Sequence, residues 1–109
     1  MSGETILVVD DEAHIRSGLA KGLAGNGNAV DTAKDGPEAL EKFRRTGHHI
    51  VITDVRLPGK LNGLDILREV HDARPESLVI VITAYGTIET AVEAMRCGAF
   101  DFVTKPVDL

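Results

Sequence analysis

Apolar residues in this chain fall into five short runs separated by longer amphipathic stretches. The runs at positions 6–9, 50–53 and 78–83 are almost wholly apolar, whereas those at 29–33 and 100–104 mix apolar and polar residues. Continuous apolar runs of this length are typical of strands buried on both faces of a sheet, and mixed runs are typical of edge strands. The pattern therefore predicts three central strands and two edge strands.

The four intervals between these runs carry apolar residues at helical spacing. The four sets are Ile15, Leu19 and Leu23; Ala39, Leu40 and Phe43; Leu64, Leu67 and Val70; and Ile88, Val92 and Met95. Strands that alternate with helices predict an α/β fold with a parallel sheet and right-handed crossovers. We expect the doubly wound, flavodoxin-like strand order 2-1-3-4-5, because that order puts the two mixed strands at the edges. The final helix of such a fold is missing from this chain.

Composition limits the classes of function. The 109 residues predict one domain over 1–109, and a net charge of −5 argues against direct nucleic-acid binding. No apolar run is long enough to span a membrane. The start of the chain lacks the features of a signal peptide, and Cys97, the single cysteine, cannot form an internal disulfide. We therefore expect a cytoplasmic protein.

Polar residues follow four of the predicted strands at the point where each strand ends. Asp10 and Asp11 follow the first strand, Asp54 ends the third, Thr83 ends the fourth, and Lys105 follows the fifth. In the predicted strand order, the first and third strands flank the switch point, where open α/β sheets bind ligands. Three carboxylates in one crevice repel one another unless a cation is present, and Mg²⁺ suits a few carboxylates with phosphate oxygens.

This set of residues is suited to phosphoryl transfer. A carboxylate such as Asp54 can act as a nucleophile and form an acyl phosphate, while Thr83 and Lys105 can bind phosphoryl oxygens. Each residue alone has a simpler explanation: the acids at 10–12 as a helix cap, Asp54 as a turn former, Thr83 as a β-former and Lys105 as a solvated charge. The convergence of all of them at one sheet edge favours the phosphoryl site.

The same residues carry a resemblance to a known family. The Asp10-Asp11 pair, Asp54 followed by Leu57-Pro58, Thr83-Ala84 and Lys105-Pro106 resemble the receiver domains of two-component response regulators. The resemblance covers essentially the whole chain. It implies a phosphoacceptor that assists its own phosphorylation, rather than an enzyme that turns over a separate substrate.

The resemblance also implies a role for each matching residue. Asp54 would accept the phosphoryl group from a sensor histidine kinase, and Thr83 and Lys105 would bind its oxygens. Asp10, Asp11, Asp54 and the backbone carbonyl of Arg56 would hold Mg²⁺. Thr83 and Phe102, at the family's switch-aromatic position, would pass the change to the face formed by the fourth helix and fifth strand. A cis peptide between Lys105 and Pro106 is also expected.

Residues 82–95 are similar to a narrower class, the receivers of nitrogen-regulation type. That similarity implies an output module, with an ATPase and a DNA-binding unit, that controls transcription. The partners expected from it are the sensor kinase and the protein's own output domain, with a homodimer as a further possibility. Neither a membrane nor direct nucleic-acid contact is expected for this domain.

Two features depart from the family pattern. The loop after Pro58 is one residue longer than usual before Asn62-Gly63, so the backbone near Arg56 can follow a different path. The chain also stops where a fifth helix should begin. We therefore expect a fragment of a longer regulator with one sheet face partly bare, or else a face that another chain covers.

Two other classes of protein remain as alternatives. A phosphatase similar to the haloacid dehalogenases also uses an aspartate at a strand end with Mg²⁺, but it needs an acid at the position of Arg56. A receiver-like interaction module that is never phosphorylated would be expected to lack one of the acidic, Thr or Lys positions, and none is lacking. Arg56 and Tyr85, each two residues beyond a site residue, are further predicted to slow hydrolysis of the acyl phosphate.

Overall fold

The computed structural model describes residues 3–84 and 86–105. The elements in this part of the chain are β1 (Thr5–Val9), α1 (Ala13–Ala24), β2 (Ala29–Ala33), α2 (Gly36–Thr46), β3 (Ile50–Asp54), α3 (Gly63–Ala73), β4 (Leu78–Thr83), α4 (Ile88–Arg96) and β5 (Asp101–Thr104). All strand pairings are parallel, and the order is β2-β1-β3-β4-β5. The predicted fold class, strand order and edge strands are confirmed.

The sheet separates two apolar layers. Successive side chains of a strand point to opposite faces, so Leu7 and Val9 of β1 pack in the main core with α2, α3 and α4, whereas Ile6 and Val8 face α1. Leu19 is the buried residue of α1. Ile50, Ile52, Ile80 and Val103 on the α1 side are only partly buried. This agrees with the prediction that one face of the sheet is incompletely covered by the described residues.

Local sequence sets the boundaries of α2 and α3. The Asp35 side chain caps α2 by accepting a hydrogen bond from the backbone N–H of Glu38, and Gly47 ends the helix with a φ of 65°. Asn62 and Asp65 form a reciprocal capping box at the start of α3. The predicted inward residues of both helices are buried: Ala39, Leu40, Phe43, Leu64, Leu67 and Val70.

The apolar stripe predicted for α4 is not its buried face. Ile88, Val92 and Met95 are 84%, 43% and 50% exposed, whereas Ala94 is completely buried. Ala94 and the partly buried Cys97 pack against the main core, so α4 rests on the sheet through small residues. An ion pair of 2.8 Å between Arg68 of α3 and Glu93 also holds the helix. Helical periodicity correctly identified the apolar face of α4, but this face points to solvent and not to the sheet.

None of the helices described is both long and apolar enough to cross a membrane.

Candidate functional site

The carboxyl ends of β1, β3 and β5 bring together the central residues of the predicted site. The Nζ atom of Lys105 lies 2.8 Å from Oδ2 of Asp54 and 2.9 Å from Oδ2 of Asp10. The Lys105 backbone N–H donates to the carbonyl of Thr83 at 2.9 Å, so the lysine is also fixed to the end of β4. The side chains of Asp10, Asp54 and Lys105 are therefore in contact, and Thr83 is joined to Lys105 through the backbone.

Asp10 is completely buried and is held by its own backbone and by its neighbour. Its N–H donates to the carbonyl of Ala33, and its Oδ1 atom accepts from the N–H of Glu12 at 2.9 Å. The Oδ2 atom accepts no hydrogen bond of regular geometry from the described residues, and its contact with Lys105 is an ion pair. A buried carboxylate oxygen in this state is a candidate ligand for a cation.

Asp54 is the last residue of β3, and its carboxylate lies at the base of an open crevice of about 220 Å³. Its Oδ1 atom accepts from the N–H of Arg56 at 3.2 Å. The start of α3 comes very close to this strand end, because a Cβ atom added at Gly63 would lie 2.0 Å from the Asp54 carbonyl oxygen. Only glycine fits there, and this close approach fixes the position of Asp54.

Glu12 is a member of the site that the motif did not identify. The carboxylate oxygens of Asp10, Glu12 and Asp54 lie within 4.8 Å of one another, and Glu12 is 3.4 Å from Lys105. Glu12 occupies the N-cap position of α1 but its side chain makes no capping hydrogen bond, so capping does not explain it. Its place directly after the Asp pair was the available signal. Asp11 is exposed, outside this cluster, and lines the crevice beside Arg56.

The residues predicted to switch lie next to the crevice. Thr83 is almost completely buried at the end of β4, and Thr104 is its partner on β5. The Phe102 side chain is partly buried against the main core. The loop between β4 and α4 lies over its ring, because a Cβ atom at Gly86 would be 3.2 Å from Phe102 Cε2. A glycine at this position thus lets the loop contact both the ring and Thr104.

The charges of the site are unbalanced. Burial opposes the charged form of Lys105, but the contacts with Asp10 and Asp54 outweigh it and raise the pKa of the ammonium above its ordinary value of 10.5. Three carboxylates, including that of Glu12, surround this one ammonium. A hard divalent cation with oxygen ligands suits the remaining negative charge and the buried Oδ2 atom of Asp10, which is paired only with Lys105 among the described residues. The donor set therefore fits Mg²⁺.

The longer loop after β3 is accommodated by a turn and an apolar anchor. Gly59 has a φ of 86°, which favours glycine, and Leu61 packs against the main core. Leu61 also lies across the start of α2, since a Cβ atom at Gly36 would be 2.5 Å from its Cβ atom. The turn at Gly59 lies beyond Arg56, whose N–H contacts Asp54.

Other described residues with side chains that can bind a metal or react do not line the crevice. His48 is completely buried, 2.7 Å from Asp31 through Nε2, and it stacks on Phe43, whereas the neighbouring His49 is exposed. Cys97 packs against the core. The predicted cis peptide at Pro106 and the predicted role of Tyr85 fall outside the described residues.

Comparison with known proteins agrees with this geometry. Residues 6–109 match the family model described as the response regulator receiver domain. The chain is 42% identical over 95% of its length to the regulatory protein AtoC of Escherichia coli K12, and 36% identical over 95% to the DNA-binding transcriptional regulator NtrC of the same strain. It spans only 22% of the length of each of these proteins.

A solved structure of a response regulator has the same fold as this chain. A response regulator from Burkholderia pseudomallei, with a phosphorylated aspartic acid, a calcium ion and citrate, superposes with a TM-score of 0.91 at 31% identity. The superposition covers 97% of this chain and 62% of that one. Receiver domains are phosphoacceptor switches of two-component systems and bind a divalent cation at an acidic pocket. By its sequence, its strand order and the residues at its strand ends, this chain belongs to the response regulator receiver domain family.

Proposed function

We propose that Asp54 is the phosphoacceptor of this receiver domain and that a sensor histidine kinase supplies the phosphoryl group. A carboxylate oxygen of Asp54 attacks phosphorus, the bond from phosphorus to the kinase histidine nitrogen breaks, and the imidazole leaves with its electron pair. The observation that carries the proposal is the position of Lys105, whose ammonium is 2.8 Å from the Asp54 carboxylate. A cation there can neutralise charge on the transferred group.

Exposure supports Asp54 over Asp10 as the nucleophile. Both carboxylates contact Lys105, but Asp10 is completely buried, whereas Asp54 is 5% exposed and lines the crevice. A phosphorus atom that enters through the crevice can therefore approach Asp54 and not Asp10. Asp11 and Glu12 also line the crevice but are exposed and lie on its rim.

Asp10, Asp11, Asp54 and the Arg56 carbonyl are the proposed holders of Mg²⁺, and the proximity of Glu12 supports adding it to the set. When bound, the ion would neutralise negative charge on the phosphoryl oxygens and offset repulsion between the carboxylates. The chain's own residues would orient the acceptor. Lys105 would remain beside the phosphorylated side chain, and Thr83 would donate its hydroxyl to a phosphoryl oxygen.

Phosphorylation of Asp54 would alter the surface formed by α4 and β5. Movement of Thr83 toward the phosphoryl group would make room for Phe102 to turn inward. Two observations support α4 as the responding element: its contact with the sheet is made by small residues, and its apolar residues Ile88 and Val92 are already exposed. A partner that contacts this face would therefore favour one of two states.

The rest of the regulator is inferred from the relatives. The relative NtrC is a DNA-binding transcriptional regulator, which supports an output module for transcription in this protein. An output module of the nitrogen-regulation type would also contain an ATPase. A cytoplasmic location and assembly as a homodimer belong to the same proposal. The family match over residues 6–109 favours this role over the phosphatase. The presence of Asp10, Asp54, Thr83 and Lys105 favours it over the unphosphorylated interaction module.

Intact-mass spectrometry with acetyl phosphate as the donor tests the proposal. The wild-type chain should gain the mass of one phosphoryl group when Mg²⁺ is present and should gain almost none when the ion is chelated. Asp54→Asn should gain none under either condition, while Asp72→Asn, which changes an exposed acid on α3, should behave as wild type. Equal labelling of wild type and Asp54→Asn would overturn the proposal.

A further inference from the structure

The geometry points to Arg16 as a positioning residue for the acidic half of the site, an inference that rests on the proposed Mg²⁺ role of these acids. Arg16 lies in the first turns of α1, and its Nη1 atom donates to the backbone carbonyl of Asp10 at 2.6 Å. This distance is that of a strong, charge-assisted hydrogen bond.

The hydrogen bond acts on the peptide that joins the two acids of the motif. β1 ends at Val9, so the Asp10 carbonyl lies beyond the strand ladder and needs another partner. This carbonyl belongs to the peptide between Asp10 and Asp11, so the hydrogen bond ties the main chain between the two acids to α1. Arg16 fixes this peptide from the helix that follows.

Arg16 completes a set of restraints around Asp10. The N–H of Asp10 donates to Ala33, its Oδ1 atom accepts from Glu12, and its carbonyl accepts from Arg16. Oδ2 is left with only the ion pair to Lys105. The restraints therefore present one chosen carboxylate oxygen to the cluster, as groups behind a metal ligand do.

The guanidinium of Arg16 donates its hydrogen bond to a backbone carbonyl and not to a carboxylate. Among the described residues, no acid lies within ion-pair distance of its guanidinium, although an acidic cluster is close by in the chain. Arg16 could therefore act on Mg²⁺ binding as a nearby positive charge or as a positioning residue, and the two roles predict opposite changes in affinity when Arg16 is removed. If Arg16 acted only as a nearby positive charge, its removal would strengthen Mg²⁺ binding; if it positions Asp10, its removal weakens binding.

Calorimetric titration of the full chain with Mg²⁺ alone tests the inference. Arg16→Ala should raise the Mg²⁺ dissociation constant by about tenfold, the usual effect of losing a group behind a metal ligand. Arg16→Lys keeps a cationic hydrogen-bond donor on a shorter side chain, so its Mg²⁺ dissociation constant should lie between those of Arg16→Ala and wild type. Lys21→Ala removes an equal charge from an exposed position of the same helix and should stay within about twofold of wild type.

Phosphorylation by acetyl phosphate supplies a second readout. In Arg16→Ala the Mg²⁺ concentration for half-maximal rate should rise by the same factor, whereas the rate at saturating Mg²⁺ should change by less than about threefold. An unchanged or lower dissociation constant in a folded Arg16→Ala or Arg16→Lys chain would overturn the inference. Failure of the wild-type chain itself to bind Mg²⁺ would instead overturn the proposed metal role, and the positioning role with it.

Discussion

The ammonium of Lys105 lies 2.8 Å from Oδ2 of Asp54, and this contact joins the end of β5 to the end of β3 across the carboxyl edge of the sheet. Both side chains are largely buried, with 10% and 8% of their surface exposed. Three carboxylates share this one cation. In the absence of a metal ion, Lys105 is therefore the main restraint on their mutual repulsion.

Loss of Lys105 should destabilise the metal-free chain. We expect Lys105→Gln to lower the free energy of unfolding by about 2 kcal/mol, as for the loss of a hydrogen bond between charged groups. The pKa of Lys105 is raised above 10.5, so its contribution is fully present below that pH and is lost only as the pH rises through the raised value. The difference from wild type should thus persist from neutral pH to 10.5.

Urea denaturation with a chelator present measures this difference, and Lys60→Gln is the control because Lys60 is exposed in the loop after β3. A Lys105→Gln chain as stable as the control would show that the carboxylates do not need the ammonium.

Mg²⁺ should stabilise the chain through the same carboxylates. An ion that binds only the folded state adds about 2.7 kcal/mol when its concentration is a hundred times its dissociation constant. Asp10→Asn should lose most of this increment, since the buried Oδ2 atom of Asp10 is paired only with Lys105 among the described residues. Thermal unfolding with and without Mg²⁺ tests this, with Asp72→Asn as an exposed control. Equal Mg²⁺ increments in Asp10→Asn and the control would contradict the assignment of Asp10.

Two glycine-to-alanine changes should have effects of opposite sign. Gly63→Ala places a methyl group 2.0 Å from the Asp54 carbonyl oxygen and should cost about 3 kcal/mol of stability. Gly18 lies exposed within α1 with no atom within 4 Å of an added Cβ, so Gly18→Ala should add about 0.5–1 kcal/mol. Chemical denaturation of both variants checks the pair. A tolerated Gly63→Ala would mean that α3 does not approach β3 as described.

The exposed face of α4 should contribute little to stability. Ile88→Gln is expected to change the free energy of unfolding by less than about 0.5 kcal/mol, because Ile88 is 84% exposed. Leu67→Ala, in the buried face of α3, should cost about 2–5 kcal/mol. A large loss in Ile88→Gln, measured by the same denaturation, would show that the α4 face is packed in the free domain.

Much of the fold could be predicted because short-range rules decide it. The three apolar runs had to be central strands, and Asp35, Gly47 and Asn62 place helix ends by hydrogen bonds and backbone geometry within a few residues. Convergence of Asp10, Asp54 and Lys105 followed from strand order, since each lies at or directly after the carboxyl end of a parallel strand.

The remaining features depend on contacts that have no short-range signal. Periodicity shows that α4 has an apolar face. Whether that face or the face of Ala94 packs on the sheet depends on how closely the helix can approach the sheet. The position of Glu12 depends on the path of the loop after β1, and that of Leu61 on its contact with Gly36 from a different part of the chain.

Direct mapping of the phosphorylated residue tests the central claim. The chain would be phosphorylated with acetyl phosphate and Mg²⁺, reduced with borohydride to convert an acyl phosphate into a stable alcohol, digested, and analysed by tandem mass spectrometry. We expect the reduced residue at position 54, and no modified peptide from Asp54→Asn. Modification at Asp10, Asp11 or Glu12 with an intact Asp54 would contradict the account.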